Sequence, residues 1–146
     1  MNNSKFDLTR YIEAQEEIYA VALSELRAGQ KTSHWMWYIF PQIAGLGLSE
    51  TSKFYAIKSM EEAKAYLKHP VLGKRLNEIT KLLHELDSDN ARLIFGSPDD
   101  LKLHSCMTLF AIASDEDVKK LFENVLAKYF KGKYDKNTIE IIEGMI

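Results

Sequence analysis

The sequence predicts an all-α protein: a compact multihelical single domain over residues 1–146, with roughly seven or eight helices, several of them short, and a buried aromatic helix near residues 33–40. Three observations carry that prediction. Apolar residues recur at alternating spacings of four and three, as in Leu72, Leu76, Ile79, Leu83 and Leu86, which is one face of a helix. Capping residues and glycine or proline stops bracket such stripes. The successive alternating, β-branched runs that a sheet would need are missing.

Taken in order, the first helical run spans Asp7 to about Ala28, where Leu8, Tyr11, Ile12, Ile18, Ala22 and Leu26 form a broken apolar stripe that Gly29 ends. Ser33 to Phe40 fits a short helix stopped by Pro41; Trp35 with Ile39 and Met36 with Phe40 are four-residue pairs, and apolarity on every side implies burial. Gly45 and Gly47 then allow a tight turn, and Ser49 can cap a helix carrying Phe54, Tyr55 and Ile57. Ser59 with Glu62 three residues on forms a capping-box pattern, and Pro70 sits where the next helix can begin. Asp89 can cap a short helix ending at Gly96, and Ser97-Pro98-Asp99-Asp100 opens another that runs through about Ile112. Ser114 to Asp117 repeats that logic for the stripe from Val118 to Tyr129, Gly132 stops it, and a last helix starts near Asp135. Neither an internal repeat nor a linker-like shift in composition divides the chain.

Composition narrows the function. A formal net charge of −2 with interspersed signs argues against the clustered basic face that nucleic-acid binding generally needs; the mildly basic Lys53 to Lys81 region is interrupted by Glu61, Glu62 and Glu78, so no nucleic-acid partner is expected. Apolar runs fall short of the roughly 18 residues a membrane span requires, so no membrane partner is expected. The N-terminal "MNNSKFDLTR" lacks an apolar signal core, and Cys106 is the single cysteine, so the expected location is the cytoplasm.

The chemistry concentrates in two stretches. In "KTSHWMWYIFPQIAGLG", Lys31, Ser33, His34 and Gln42 surround an aromatic wall that includes Trp35 and Trp37, with Tyr55 following on the next helix. Indole and phenol rings offer stacking faces to a flat ligand, and a lysine offers charge to an anionic one. Apolar walls with a few polar groups are how small-molecule sites are usually made. The second stretch is "GSPDDLKLHSCMTLF", where Leu101, Ser105, Thr108 and Ile112 share one stripe, so hydroxyls fall on a face that otherwise looks buried; Asp100 and Lys102 lie at its start. A core reading competes at each position: a histidine bonded to a carbonyl, hydroxyls bonded four residues back, a first-turn aspartate.

Established templates fit poorly. Gly45-x-Gly47 lacks a third glycine and a preceding strand, His104-x-Cys106 lacks zinc-ligand spacing, and adjacent Asp99 and Asp100 point to different helix faces. No metal and no cofactor are therefore expected. The preferred reading is a small-ligand-binding helical domain for a nucleotide-like or sugar-phosphate-like compound, with Lys31, Ser33, Trp35, Trp37, Gln42, Tyr55, Lys102 and Ser105 lining the pocket. If it is an enzyme, His34 transfers the proton and Asp100 orients it or acts as acid. The alternative is a non-catalytic interaction or structural module without a pocket.

The run "GQKTSHWMWYIFPQIAGLGLSE", together with "YAI", "EEAKAYLKHPVLGKRL" and "IFGSPDDLKLHSCMTLF", resembles a bacterial family of uncharacterised proteins, domain of unknown function 1810. The resemblance extends from about Phe6 to about Ile141. It implies a compact all-helical fold and supplies no activity. Where that family tends to show Ser-Ser-Met, this chain has Ser105-Cys106-Met107.

Overall fold

The computed structural model describes residues 6–145. Their elements are α1 (Thr9–Gln15), α2 (Tyr19–Arg27), α3 (Met36–Ile39), α4 (Glu50–Tyr55), α5 (Met60–Lys68), α6 (Leu72–Glu85), α7 (Ala91–Phe95), α8 (Asp99–Ala113), α9 (Glu116–Phe130) and α10 (Lys136–Gly144). The fold is all-α, as the stripes and caps predict. Among the described residues the one β-type contact is an isolated parallel bridge between Ile43 and Ile57.

Helix α8 is the centre of the packing. Leu103, Cys106, Met107, Leu109, Phe110 and Ala111 are all buried, so beyond its first turn this helix is buried on nearly every side, as a core helix must be. It is covered by α5, α7, α9 and α10. Phe110 meets Tyr66 of α5 at 5.4 Å and Phe122 of α9 at 6.0 Å between ring centroids. Trp35 and Phe40 close the other end against Phe95 of α7, at 6.3 and 5.9 Å.

Two caps form as the sequence predicts, Ser49 accepting from Ser52 N and Ser59 from Glu62 N, and Asp135, where the last helix is expected to start, accepts from Thr138 N, each at 3.1 Å. The caps expected at Ser97 and Ser114 do not form, and α8 and α9 start after Pro98 and Asp115 with no side-chain cap bond. The Glu62 carboxylate reaches back to Lys58 N at 2.7 Å rather than to Ser59, because it also pairs with Arg10 at 3.1 Å. Other boundaries also differ from expectation. The cap of α7 is Asn90, whose side chain accepts from Leu93 N at 3.1 Å, not Asp89. Helix α6 begins at Leu72, after His69 Nδ1 accepts the Val71 and Leu72 amides at 3.1 and 3.2 Å. The expected long first helix is two, because the halves anchor to different neighbours. Gln15 at the end of α1 donates to Tyr38 O and Tyr66 Oη at 2.7 and 3.0 Å, whereas Tyr19 at the start of α2 donates to Arg75 O on α6 at 3.0 Å. Those tertiary bonds outweigh the local preference for a continuous helix.

The α5–α6 crossing is close enough to demand glycine. A Cβ on Gly73 would lie 2.8 Å from the Leu67 carbonyl carbon and still nearer its oxygen, with backbone that cannot step aside. Gly73→Ala is therefore expected to cost about 3 kcal/mol, the scale of core overpacking, in urea denaturation. A variant as stable as wild type would show that the two helices separate without penalty.

Candidate functional site

The segment between α3 and α4 is pinned before any ligand is considered. Ile57 N donates to Gln42 O and Ala44 N to Ile57 O, both at 2.8 Å, so residues 42–44 lie against the chain leaving α4. Gly45 has φ +107°, which favours glycine, and a Cβ on Gly47 would lie 2.5 Å from Ser52 Oγ. The tight turn expected at these glycines exists, and it brings Ser52 against the loop.

This loop walls a groove made of two adjoining hollows, of about 160 and 540 Å³. Trp37, Gln42, Gly47, Ser52 and Lys102 line both, so the indole of Trp37 marks where they meet. The smaller hollow adds Tyr55, Lys53 and Lys58; the larger adds Ser105, Asp135, Asn137, Leu48 and Leu101. Lys102 Nζ stands 4.9 Å over the Trp37 ring and 3.4 Å from Asp99 Oδ1. Ser105 Oγ donates to Leu101 O and Asp135 Oδ2 at 3.2 and 3.1 Å; Asp135 N donates to Thr108 Oγ1 at 2.8 Å. Of the stripe expected to be buried, Ser105 and Thr108 are, whereas Leu101 is exposed and Ile112 half-buried; the two hydroxyls bond four residues back and also fasten the start of α10 to the groove.

Five of the residues singled out in the sequence meet here: Trp37, Gln42, Tyr55, Lys102 and Ser105. The others lie behind or beside the groove. Trp35 is fully buried in the core. Lys31 is 7% exposed, forms an ion pair with Asp99 at 2.8 Å, lies 5.0 Å over the Trp35 ring and donates to Ser33 O at 2.5 Å. His34 is exposed and lines neither hollow, its carbonyl accepting from Tyr38 Oη at 3.3 Å. Asp100 is half-buried, its Oδ1 is enclosed without a hydrogen-bond partner, and it shares no hydrogen bond with His34. The aromatic helix is also shorter than residues 33–40, and Trp37 and Tyr38 are only half-buried.

The cause of that last difference is Glu25. Its Oε1 accepts from Thr32 N, Ser33 N and Trp35 Nε1 at 2.8, 3.0 and 2.9 Å, and its Oε2 from Ser33 Oγ at 2.5 Å. With the Ser33 hydroxyl and amide both taken, Ser33 cannot cap α3, and the helix starts three residues later. Burial works to raise the Glu25 carboxyl, but the bonds from Ser33, Thr32 and Trp35 outweigh it and hold the group at about 2. Burial pushes the Cys106 thiol well up, so it remains a neutral packing group in the core. Among the described residues, no three His, Cys, Asp or Glu side chains gather to hold a metal ion, and no helix is long and apolar enough to cross a membrane.

Sequence reasoning placed none of Lys53, Lys58, Asn137 and Glu25 in the site and took Asp135 only as the start of the last helix. Glu25 carried a signal: it follows Ala22 by three residues, on the face the stripe assigns to the core. The others are ordinary surface residues of three separate segments, and only the fold brings them to one groove.

Two predictions follow from this geometry. Glu25 titrates near 4.5 when unfolded and at about 2 when folded, so its contribution to stability is complete above about pH 5 and is lost as the pH falls toward 2. The stability gap between wild type and Glu25→Gln in urea should therefore be level near neutrality and close on acidification; a gap equally wide at about pH 2 would place the anchoring elsewhere. Lys31→Ala should lower stability by roughly 1.5–3 kcal/mol, since Asp99 loses a charged partner. Thermal melts indistinguishable from wild type would return Lys31 to the list of ligand contacts.

The sequence pattern of the family described as "Protein of unknown function (DUF1810)" matches residues 5–142. The crystal structure of the conserved hypothetical protein Rv1873 from Mycobacterium tuberculosis is 47% identical, covers 96% of this chain and 99% of its own, and superposes with a TM-score of 0.92. No curated protein matches. By extent of sequence match and by fold, the chain belongs to the DUF1810 family of proteins of unknown function.

Proposed function

We propose that the groove binds a small anionic metabolite with a ring, nucleotide-like or sugar-phosphate-like, in the cytoplasm. The observation that carries this reading is the lining of the smaller hollow: Lys53, Lys58 and Lys102 without a carboxylate, beside the half-buried indole of Trp37. A ring stacks on the indole, and the three ammonium groups attract the anion. Gln42 and Ser52 supply neutral polar contacts, in the proportion usual for small-molecule sites. His34 and Asp100 line neither hollow of the groove, so the reading is confined to binding.

A second reading has its own observation. Leu48 and Leu101 are 86% and 60% exposed at the rim of the larger hollow, which also suits an apolar contact with another protein. The two readings separate in a thermal-shift screen of nucleotides and sugar phosphates. A ligand at about 100 times its dissociation constant adds roughly 2.7 kcal/mol, and Lys102→Ala and Trp37→Ala should abolish that gain while melting within a few degrees of wild type. Trp37 fluorescence should change with the same titration. If no metabolite stabilises the wild type and Leu101→Asp releases a bound protein, the interaction reading replaces the metabolite.

A further inference from the structure

The groove is electrically polarised along its length. Lys53 and Lys58 line only the smaller hollow, and the larger one holds the groove's carboxylate, Asp135, with Trp37 and Lys102 common to both. Asp135 is unusually well fixed for a surface aspartate. Its Oδ2 accepts from Ser105 Oγ at 3.1 Å, Thr138 N at 3.1 Å and Thr138 Oγ1 at 2.6 Å. Those three donors hold the carboxylate from α8 and α10, while Oδ1 takes no hydrogen bond from the described residues. An immobilised carboxylate oxygen with no donor of its own, in the wall of a hollow of about 540 Å³, is a prepared acceptor. Asn137 stands in the same wall and can both donate and accept.

We infer that this end of the groove recognises neighbouring hydroxyl groups, so that the ligand is a phosphorylated compound carrying a vicinal diol: a sugar phosphate or a ribonucleotide. The inference rests on the metabolite-binding reading above and deepens it. A diol gives two donors at fixed separation, which suits a carboxylate oxygen beside an amide. A ligand ammonium suits the site less, because Lys102 lines the same hollow and would repel it. The apolar face of a sugar ring packs on the Trp37 indole, and the phosphate then lies toward Lys53 and Lys58.

Isothermal titration of the full chain tests this with two matched pairs: ribose 5-phosphate against its 2-deoxy form, and AMP against its 2′,3′-dideoxy form. The diol member of at least one pair should bind at least about tenfold tighter, the scale of one hydrogen bond to a charged group. The first pair reports a free sugar phosphate and the second a nucleotide. Asp135→Asn should erase the ratio while keeping α10 capped, because asparagine caps as well as aspartate. Should that variant fail to fold, Asn137→Ala, at an exposed position, must also narrow the ratio. Equal affinities within both pairs, or a ratio that survives these substitutions, overturn the diol while leaving the groove in place. If the broader metabolite screen also stabilises nothing, both readings fall.

Discussion

The geometry of the groove depends on one carboxylate that never touches it. Glu25 gathers the Thr32 and Ser33 amides, the Ser33 hydroxyl and the Trp35 indole N–H into one cluster. Three of these donors converge on Oε1 and the fourth reaches Oε2, all from one short segment, which removes that segment's freedom without a helix. Trp35 is thereby held in the core, and the side chain two residues on is carried toward the groove. An indole lacking its hydrogen-bond partner would be expensive at that depth, so Glu25 and Trp35 satisfy each other.

From that anchor the polar chemistry is sorted by depth. Helix α8 is buried on nearly every side, yet Ser105 and Thr108 carry hydroxyls into its packing, and each donates to the carbonyl four residues earlier. The same hydroxyls also bond Asp135, Ser105 to its carboxylate and Thr108 to its amide. A helix interior thus doubles as the rear wall of a polar hollow. Cys106, the neighbour of Ser105 on α8, is fully buried and lines neither hollow of the groove. A serine there would demand its own partner in the core, and the thiol does not.

The helices were legible because caps and stripes are local. Ser49, Ser59 and Asp135 each cap the helix they precede, and the Leu72 to Leu83 stripe is buried as its spacing requires. The split between α1 and α2 was not legible, since Gln15 and Tyr19 reach partners 23 or more residues away. The site divided along the same line. Trp37, Gln42 and Lys102 could be picked from the sequence because aromatic and charged residues crowd there. Assigning Lys31 to the ligand followed from its charge, but its partner Asp99 lies 68 positions further on, and no periodicity connects the two. Lys53, Lys58 and Asn137 look like solvated surface residues until the fold sets them beside the loop from residue 42 to 49 as walls of one groove.

Asp99 is what joins the two clusters. One of its oxygens pairs with Lys31 at 2.8 Å and the other with Lys102 at 3.4 Å, so a single carboxylate serves two ammonium groups. Lys31 is 7% exposed and Lys102 26%, and the deeper lysine has the shorter contact. Removing an ammonium group from water costs more the deeper it lies, so the buried lysine draws most of the compensation from the shared carboxylate. Asp99 thus serves two cations, and Lys102, the more exposed of them, stands on the groove side over the Trp37 ring. A quadrupole attracts a cation but does not neutralise it. An anion entering the groove would meet Lys102 at this point, and it would do so without disturbing the Lys31 pair that holds the segment behind.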